Sequence, residues 1–506
     1  MNILVIGALG TVGRHLVPQL VARGHHVSIT SRSASKPVPW PDLPCQRFTL
    51  DLLKPDSIAC ALDNIEVVYY LMHGMTDGQH YSDTEQQAAR NLVMAVQGTQ
   101  VKRIIYLGSL VSGNPQSEHM KSRVTTGHIL AGSAIPVTEI RAGIIVAPGS
   151  AAFEVMRDVV GHIPIFFAPR SIKHLAPPIA IDNLIFYLVE LLNHPDSAGQ
   201  IYDATGPEWI SYQHMMQVIA KKLAKPCQII AIKGLPVSWT QWVLGIITSV
   251  PKPLAKALLA GLEEPLQGSG LRLQTLIPQP LLSIEQGVDA VLATEQTPSY
   301  PKRWQDGIPE FRNFSPLHGF YAKRAAHTIS IKAHPAKIWQ VLNRLGGEDR
   351  YFYANGLWAM REWMDHLAGG GGRQHGRDDK TQFVVGERVD SWRILSVIPE
   401  RLLVMKFGMK APGGGGMQLS ITPTNNEPAK PECELSIELL WHPAGFWGLA
   451  YWYFFAPWHA LLLHGMADKI ASLAQQLQQA EPIPLAQEAS MAPRKSPHEA
   501  ASRPAR

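Results

Sequence analysis

Apolar residues fill positions 3–6 without interruption, the pattern of a strand buried on both faces. Over residues 11–23 they recur instead at Val12, Leu16, Leu20 and Val21, which is helical spacing. Short apolar runs return at 27–30, 46–50, 67–71, 103–107, 137–141 and 142–146, with a helix predicted over 85–96 and a further unit at 200–207. Strands alternating with crossover helices predict an α/β doubly wound parallel sheet, which binds ligands outside the carboxyl ends of its strands. Residues 298–316 are rich in proline and charge and lack periodicity, so a boundary is expected there. Beyond it 328–332 alternates, 335–345 reads as a short helix, and strands are expected around 387–398, 401–409, 417–422 and 433–441. A long helix, roughly 451–480, closes an α+β region. The expected organisation is a domain at 1–297 with a small substrate lobe, a linker at 298–324, a domain at 325–480 and a disordered tail at 481–506. Glycine runs at 369–372 and 413–416, and the pair Gly346-Gly347, read as flexible loop tips.

Two apolar stretches call for comparison with a membrane span. Residues 239–262 are interrupted by Pro251, Lys252, Pro253 and Lys256 and read as a buried helix pair. Residues 444–467 are more apolar and rich in aromatics, but carry Pro457, His459 and His464. A buried core helix is the expectation there, with membrane contact the lesser alternative.

Composition narrows the classes. A net charge of +5, from 46 basic and 41 acidic residues without a basic stripe, argues against a nucleic-acid partner. The cysteines at 45, 60, 227 and 433 form no Cys-x-x-Cys pair, which argues against a disulfide framework and a zinc site and for a reducing compartment. His459 and His464, five apart, do not share a helical face, so no metal is expected. The first strand starts at the first residue and leaves no space for a signal peptide, so the expected location is the cytoplasm. Oligomeric state does not follow.

The candidate chemistry lies at the strand ends. Gly7, Gly10 and Gly13 sit between the first strand and helix, where they allow a tight turn, close approach of a pyrophosphate and close helix–strand packing. With Leu9, Thr11 and Val12 they form the expected dinucleotide cradle. An acidic residue about 20 positions further on would bind the ribose 2′-hydroxyl of NAD, whereas Arg32 there suits the 2′-phosphate of NADP. Arg14 can reach the same phosphate. NADP(H) is therefore favoured, with NAD(H) the alternative. Asp51, before Leu52, either accepts from the adenine amino group or caps the helix near Pro55, and Leu71, Met72 and His73 end a strand where backbone can pass over a cofactor.

These residues resemble the atypical branch of the extended short-chain dehydrogenase/reductase superfamily, which includes NmrA-like NAD(P)-binding proteins, over about residues 1–295. The resemblance rests on Gly7-x-x-Gly10-x-x-Gly13, Asp51-Leu52, Ala88-Ala89-Arg90-Asn91, Tyr106-Leu107-Gly108-Ser109, Pro178-Ile179-x-x-Asp182 and Thr205-Gly206-Pro207. It implies a Rossmann-type fold. About 325–475 resembles the DUF2867 family, on Trp339, Gly346-Gly347, residues 353–358, Gly386-Glu387-x-Val389-Asp390-x-Trp392-Arg393, and residues 451–453 through Gly465-Met466. That likeness implies a helix-grip, START-like fold with an apolar pocket, for which Trp358, Trp363, Trp392, Trp441 and Trp452 are candidates. The pair in this order resembles two-domain NAD(P)-binding proteins of bacteria. Active superfamily members carry Tyr-x-x-x-Lys, and here the four-residue spacing is held by His119 and Arg123. His119 is the candidate acid, Arg123 a contact to ribose or a substrate anion, and Ser109 stands near the superfamily's serine. The expected function is an NADP(H)-dependent reductase acting on a small hydrophobic carbonyl or quinone-like partner. The alternatives are a non-catalytic NADP(H) sensor and a membrane-associated lipid or quinone handler.

Overall fold

A computed structural model describes residues 1–32, 38–40, 43–72, 81–111, 113, 115–296, 320–346, 349–371, 382–424 and 431–480. The expected linker, apart from residues 320–324, and the expected tail fall outside the described residues, as does His73. The chain divides into two units, Met1–Ala322 with His442–Leu449, and Lys323–Trp441 with the residues from Ala450 on.

The first unit is built on β1 (Asn2–Ile6), α1 (Thr11–Ala22), β2 (His26–Ser31), β3 (Cys45–Thr49), β4 (Val67–Tyr70), α2 (Tyr81–Ala95), β5 (Arg103–Ser109), α3 (Glu118–Ala131), β6 (Val137–Ala142), α4 (Ala151–His162), β7 (Ile201–Ala204), α5 (Tyr212–Lys222), α6 (Val237–Ile247) and α7 (Lys252–Leu262). Seven strands form one sheet in the order β7-β6-β5-β4-β1-β2-β3, every pair parallel. Both faces are covered, which explains the unbroken apolar runs. Ile3 and Val5 join one core with Leu16 and Leu20 of α1, while Leu4 and Ile6 join another with Ala88, Ala89 and Leu92 of α2. The order reverses at β1, so the carboxyl ends of β1 and β4 diverge into a crevice. A third core, around Phe153, Met156, Met216, Leu244 and Leu259, belongs to a helical lobe. Residues 239–262 do form a helix pair there, but it is not wholly buried: Trp242 is 65% exposed, because α6 presents one face outward.

The second unit has β8 (Lys323–Ile331), α8 (Pro335–Leu342), α9 (Asn355–Leu367), β9 (Arg388–Val389), β10 (Trp392–Ile398), β11 (Leu402–Phe407), β12 (Gly413–Pro423), β13 (Cys433–Pro443) and α10 (Gly445–Ala480). Its sheet runs β8-β13-β12-β11-β10-β9, with antiparallel pairing at β8–β13, β11–β12, β10–β11 and β9–β10. Its core joins the sheet's inner face to Leu463, Met466, Ile470 and Ala474 of α10. The last helix starts six residues before the expected position, at Gly445, whose φ of +62° suits glycine alone at little cost. The glycines 413–416 are not a loop tip. They open β12, where a Cβ on Gly415 would lie 2.2 Å from the Leu440 carbonyl oxygen, so at this position the neighbouring strand lies too close for a side chain. Among the described residues no helix is long and apolar enough to cross a membrane.

Candidate functional site

A cavity of about 840 Å³ lies in the first unit. Its wall follows the carboxyl ends of the strands in sheet order: Arg32 after β2, Gly7 after β1, Leu71 and Met72 after β4, Leu107 to Ser109 in β5, and Ala142 to Ile145 after β6. Beyond these it is lined by apolar side chains of the helical lobe, among them Met156, Phe166, Leu244, Leu254 and Leu258.

The glycine turn is shaped by contacts that only glycine allows. Gly7 has φ +84°, and a Cβ there would lie 2.9 Å from the backbone of Leu71. At Gly13 a Cβ would meet the Cα of Ala8 at 2.6 Å, so α1 packs directly on the turn. Gly10 is exposed, donates its N–H to the Gly7 carbonyl at 2.9 Å, and leads into α1, where no side chain caps the helix. The uncapped amides at the start of α1 and the bare glycine cradle fit the pyrophosphate of a dinucleotide. Leu9, Thr11 and Val12 line the same cavity. The Thr11 hydroxyl donates to the Gly149 carbonyl at 2.8 Å, where the Tyr321 hydroxyl also donates at 2.7 Å. This ties the turn to the loop before α4.

Arg32 is exposed and lines the cavity at the end of β2. Arg14 does not line it; its Nε donates to the Leu9 carbonyl at 2.8 Å, bracing the turn from behind. Asp51 and Leu52 lie on the wall. Asp51 is no helix cap: its carboxylate accepts from the Leu53 amide at 3.1 Å, and the short helix that follows is entered from Pro55 without a side-chain cap.

Ser109, His119 and Arg123 each line the cavity. α3 begins after Ser117, whose hydroxyl accepts from the Met120 amide, and the amide of Gln116 donates to the Glu264 carboxylate at 3.0 Å. The helix start, and with it His119, is thus anchored to the segment that follows α7. His119 is 6% and Arg123 7% exposed. The Arg123 guanidinium donates to the carbonyls of Leu107 and, at 3.3 Å, Met72, and lies 5.3 Å from the centre of the Tyr106 ring. It therefore ties the ends of β4 and β5 together, and its contact with backbone differs from the ribose or anion contact expected of it.

Sequence reasoning missed the loop at Gly149 and Ser150 and the close approach at Gly143, where a Cβ would lie 2.1 Å from the Pro177 carbonyl oxygen; it expected a small substrate lobe and the helix pair at 239–262, but not which of the lobe's side chains line the cavity. The small residues at 142–143 and 149–151, following strand ends, carried the one local signal for the first two.

Residues 7–139 match a family described as NAD(P)H-binding, and residues 321–466 match one described as a protein of unknown function, DUF2867. The chain thus carries a segment that matches an NAD(P)H-binding family and, after it, one that matches DUF2867. A stretch of 111 residues, 22% of the chain, is 29% identical to the photosystem II assembly factor Ycf39 of Synechocystis sp.. The match spans about a third, 34%, of that relative's length. Solved structures similar over 57% of the chain include a nucleoside-diphosphate-sugar epimerase of Staphylococcus aureus, at 16% identity, TM-score 0.47 and 99% of its own chain. They also include a Bacillus cereus UDP-glucuronic acid 4-epimerase in complex with UDP-glucuronic acid and NAD, at 18%, 0.44 and 97%.

In the DUF2867 domain a smaller slot, about 90 Å³, is lined by Trp358, Trp392, Trp441 and Trp452. Trp363, the fifth candidate, is not on it and is 62% exposed, because it lies on the outward face of α9.

Proposed function

We propose that the NAD(P)H-binding domain is an NADP(H)-dependent reductase of a small hydrophobic carbonyl or quinone-like compound, working in the cytoplasm. The observation that carries this reading is the single cavity whose wall includes the glycine turn, Arg32, His119 and an apolar lobe. When bound, the nicotinamide cofactor supplies a hydride. The glycine turn and the start of α1 hold the pyrophosphate, and Arg32 pairs with the 2′-phosphate that distinguishes NADP from NAD. His119 gives a proton to the substrate oxygen, since an imidazole exchanges protons near neutral pH, and Ser109 donates a hydrogen bond to the same atom. Arg123 is a positioning residue, holding the strand ends beneath the substrate. The apolar lobe excludes water and selects a hydrophobic molecule.

Binding of NADPH and NADH to wild type and Arg32→Ala, with oxidation of NADPH by quinones and aldehydes, tests the reading. Arg32→Ala is expected to weaken NADPH by about tenfold or more, some 1.4 kcal/mol, and leave NADH unchanged. Equal wild-type affinity for both cofactors refutes the role of Arg32. His119→Ala is expected to abolish turnover while binding persists.

One observation favours a second reading. With no tyrosine–lysine pair at the four-residue spacing and with Arg123 engaged with backbone carbonyls, the superfamily's proton-transfer pair has no counterpart at these positions, so the domain can instead sense NADP(H) without turnover. Tight NADPH binding with no acceptor able to oxidise it decides for the sensor.

A further inference from the structure

A surface helix ordinarily buries its apolar stripe and offers its charges to water, and α9 does the reverse. Its two acids, Glu362 and Asp365, are only 1% and 2% exposed. The Glu362 carboxylate accepts from Nη2 of Arg350 at 2.7 and 2.8 Å and from the Ser391 hydroxyl at 3.2 Å, and that of Asp365 from the Lys410 amide at 2.6 Å. Outward the helix presents Met360, Trp363, Met364 and Leu367, spaced as one stripe, with Trp363 62% and Leu367 66% exposed. α10 runs beside it: Nε of Arg361 donates to the Tyr451 hydroxyl at 3.0 Å, and Met360 and Trp458 line the same slot. To the outer surface α10 adds Phe454, Trp458 and Leu461, again one stripe, with Phe454 70% exposed. Residues 445–467 contain no Asp, Glu, Lys or Arg. Seven large apolar side chains exposed on two adjoining helices form a patch, unlike the apolar residues scattered singly over an ordinary soluble surface.

Charge and shape select what covers it. The acids of α9 are withdrawn, while cations border the patch. Lys410 is exposed with its Nζ 3.5 Å from the Ala368 carbonyl at the end of α9, Arg361 lies half-buried between the helices, and the Nζ of Lys323 is 5.6 Å from the centre of the half-exposed Tyr453 ring. This arrangement complements an anionic surface. The stripes themselves consist of Trp, Phe, Met and Leu, which offer almost no hydrogen-bonding groups, whereas a protein interface carries about one hydrogen bond per 100–200 Å². Aromatic rings of this kind seat at the level of lipid headgroups. The slot of about 90 Å³ between the helices, walled by Leu357, Phe407, Leu439 and Leu462 with Met360 and Trp458 at its rim, suits the end of an acyl chain, since apolar voids stay dry.

We propose that α9 and the adjoining stretch of α10 form a docking surface for an anionic lipid bilayer, lying in the plane of the headgroups with Trp363, Leu367, Phe454 and Trp458 inserted among them. The surface belongs to the second unit alone and stands independently of the reductase reading.

The test sediments the full-length protein with vesicles of phosphatidylcholine containing about a quarter phosphatidylglycerol, and with vesicles of phosphatidylcholine alone. Binding to the anionic vesicles is expected, with severalfold weaker binding to phosphatidylcholine alone. The double substitution Trp363→Glu and Leu367→Glu is expected to weaken the anionic binding about tenfold or more, and so is Phe454→Glu on the other helix, because each drives charge into the headgroup layer. Two independent variants on outward-facing positions keep the test decisive if one fails to fold. Trp242→Glu, at a comparably exposed tryptophan of the first unit, is expected to bind as wild type does. Absence of sedimentation, equal binding to both kinds of vesicle, undiminished binding by the variants of α9 and α10, or an equal loss in Trp242→Glu overturns the proposal. So does a dimer seen by light scattering without vesicles that the same α9 substitutions dissociate, because the patch is then an interface between two copies of the chain.

Discussion

The charged residues behind the Gly149 loop show how a single side chain can set a pH dependence. Glu154, Arg157, Asp158 and Glu295 are each no more than 2% exposed, so three acids share one base in the interior. Burial, which outweighs the attraction of Arg157, holds the Glu154 carboxyl up to about 7, and Glu295 and Asp158 push in the same direction. Its two oxygens accept from the amides of Gly149 and Phe320, both at 3.0 Å. The folded protein thus binds a proton that the unfolded chain releases near the ordinary glutamate value, and stability falls as pH rises from about 4.5 to about 7. The loss is of the order of 1–3 kcal/mol. Urea unfolding between pH 5 and 8 is expected to show this decline in wild type and a shallower one from a lower starting stability in Glu154→Gln, which removes the titrating group but keeps only one of the two acceptors. An equal slope in both proteins would place the titrating group elsewhere.

At the scale of elements, glycine has opposite meanings at two places. In the turn after β1 it frees the backbone for φ +84° and clears a cradle. In β12 it lets two strands approach, and Gly415→Ala would drive a methyl into the Leu440 carbonyl and, at 2.8 Å, the Trp441 ring. Backbone cannot yield as a flexible side chain does, so this variant is expected to lose at least the ~1–3 kcal/mol typical of overpacking. A lower denaturation midpoint with unaltered NADPH affinity is the expected readout; an unchanged midpoint would mean that the strand adjusts freely. Sequence alone could not separate the two uses. Glycine's local signal is permissiveness, and only the neighbouring strand says whether that is spent on a bend or on contact.

Across the whole molecule, the cores are segregated: the clusters around Ile3, Leu4 and Phe153 draw on the first unit, and that around Ile338 and Met466 on the second. Calorimetry is therefore expected to resolve two transitions, of which saturating NADPH raises one. At a hundred times the dissociation constant the gain is about 2.7 kcal/mol. A single transition that moves as a whole would contradict this.

The features read correctly from the chain were those written locally. The strand–turn–helix spacing of Ile3 to Leu20 states its own geometry, because burial on both faces and one-sided helical packing leave their periods in consecutive residues. For that reason the parallel sheet, the glycine turn between β1 and α1, and Arg32 at the end of β2 were all accessible in advance. Several features were settled only by folding: the contact of Arg14 with Leu9, the bond of Arg123 to Leu107 and Met72, and the lobe drawn from Met156, Phe166 and Leu254. Which tryptophans face a slot and which face solvent was settled there too. These depend on residues tens of positions apart meeting in space, and periodicity along the chain records which face of an element is apolar but not what that face will meet.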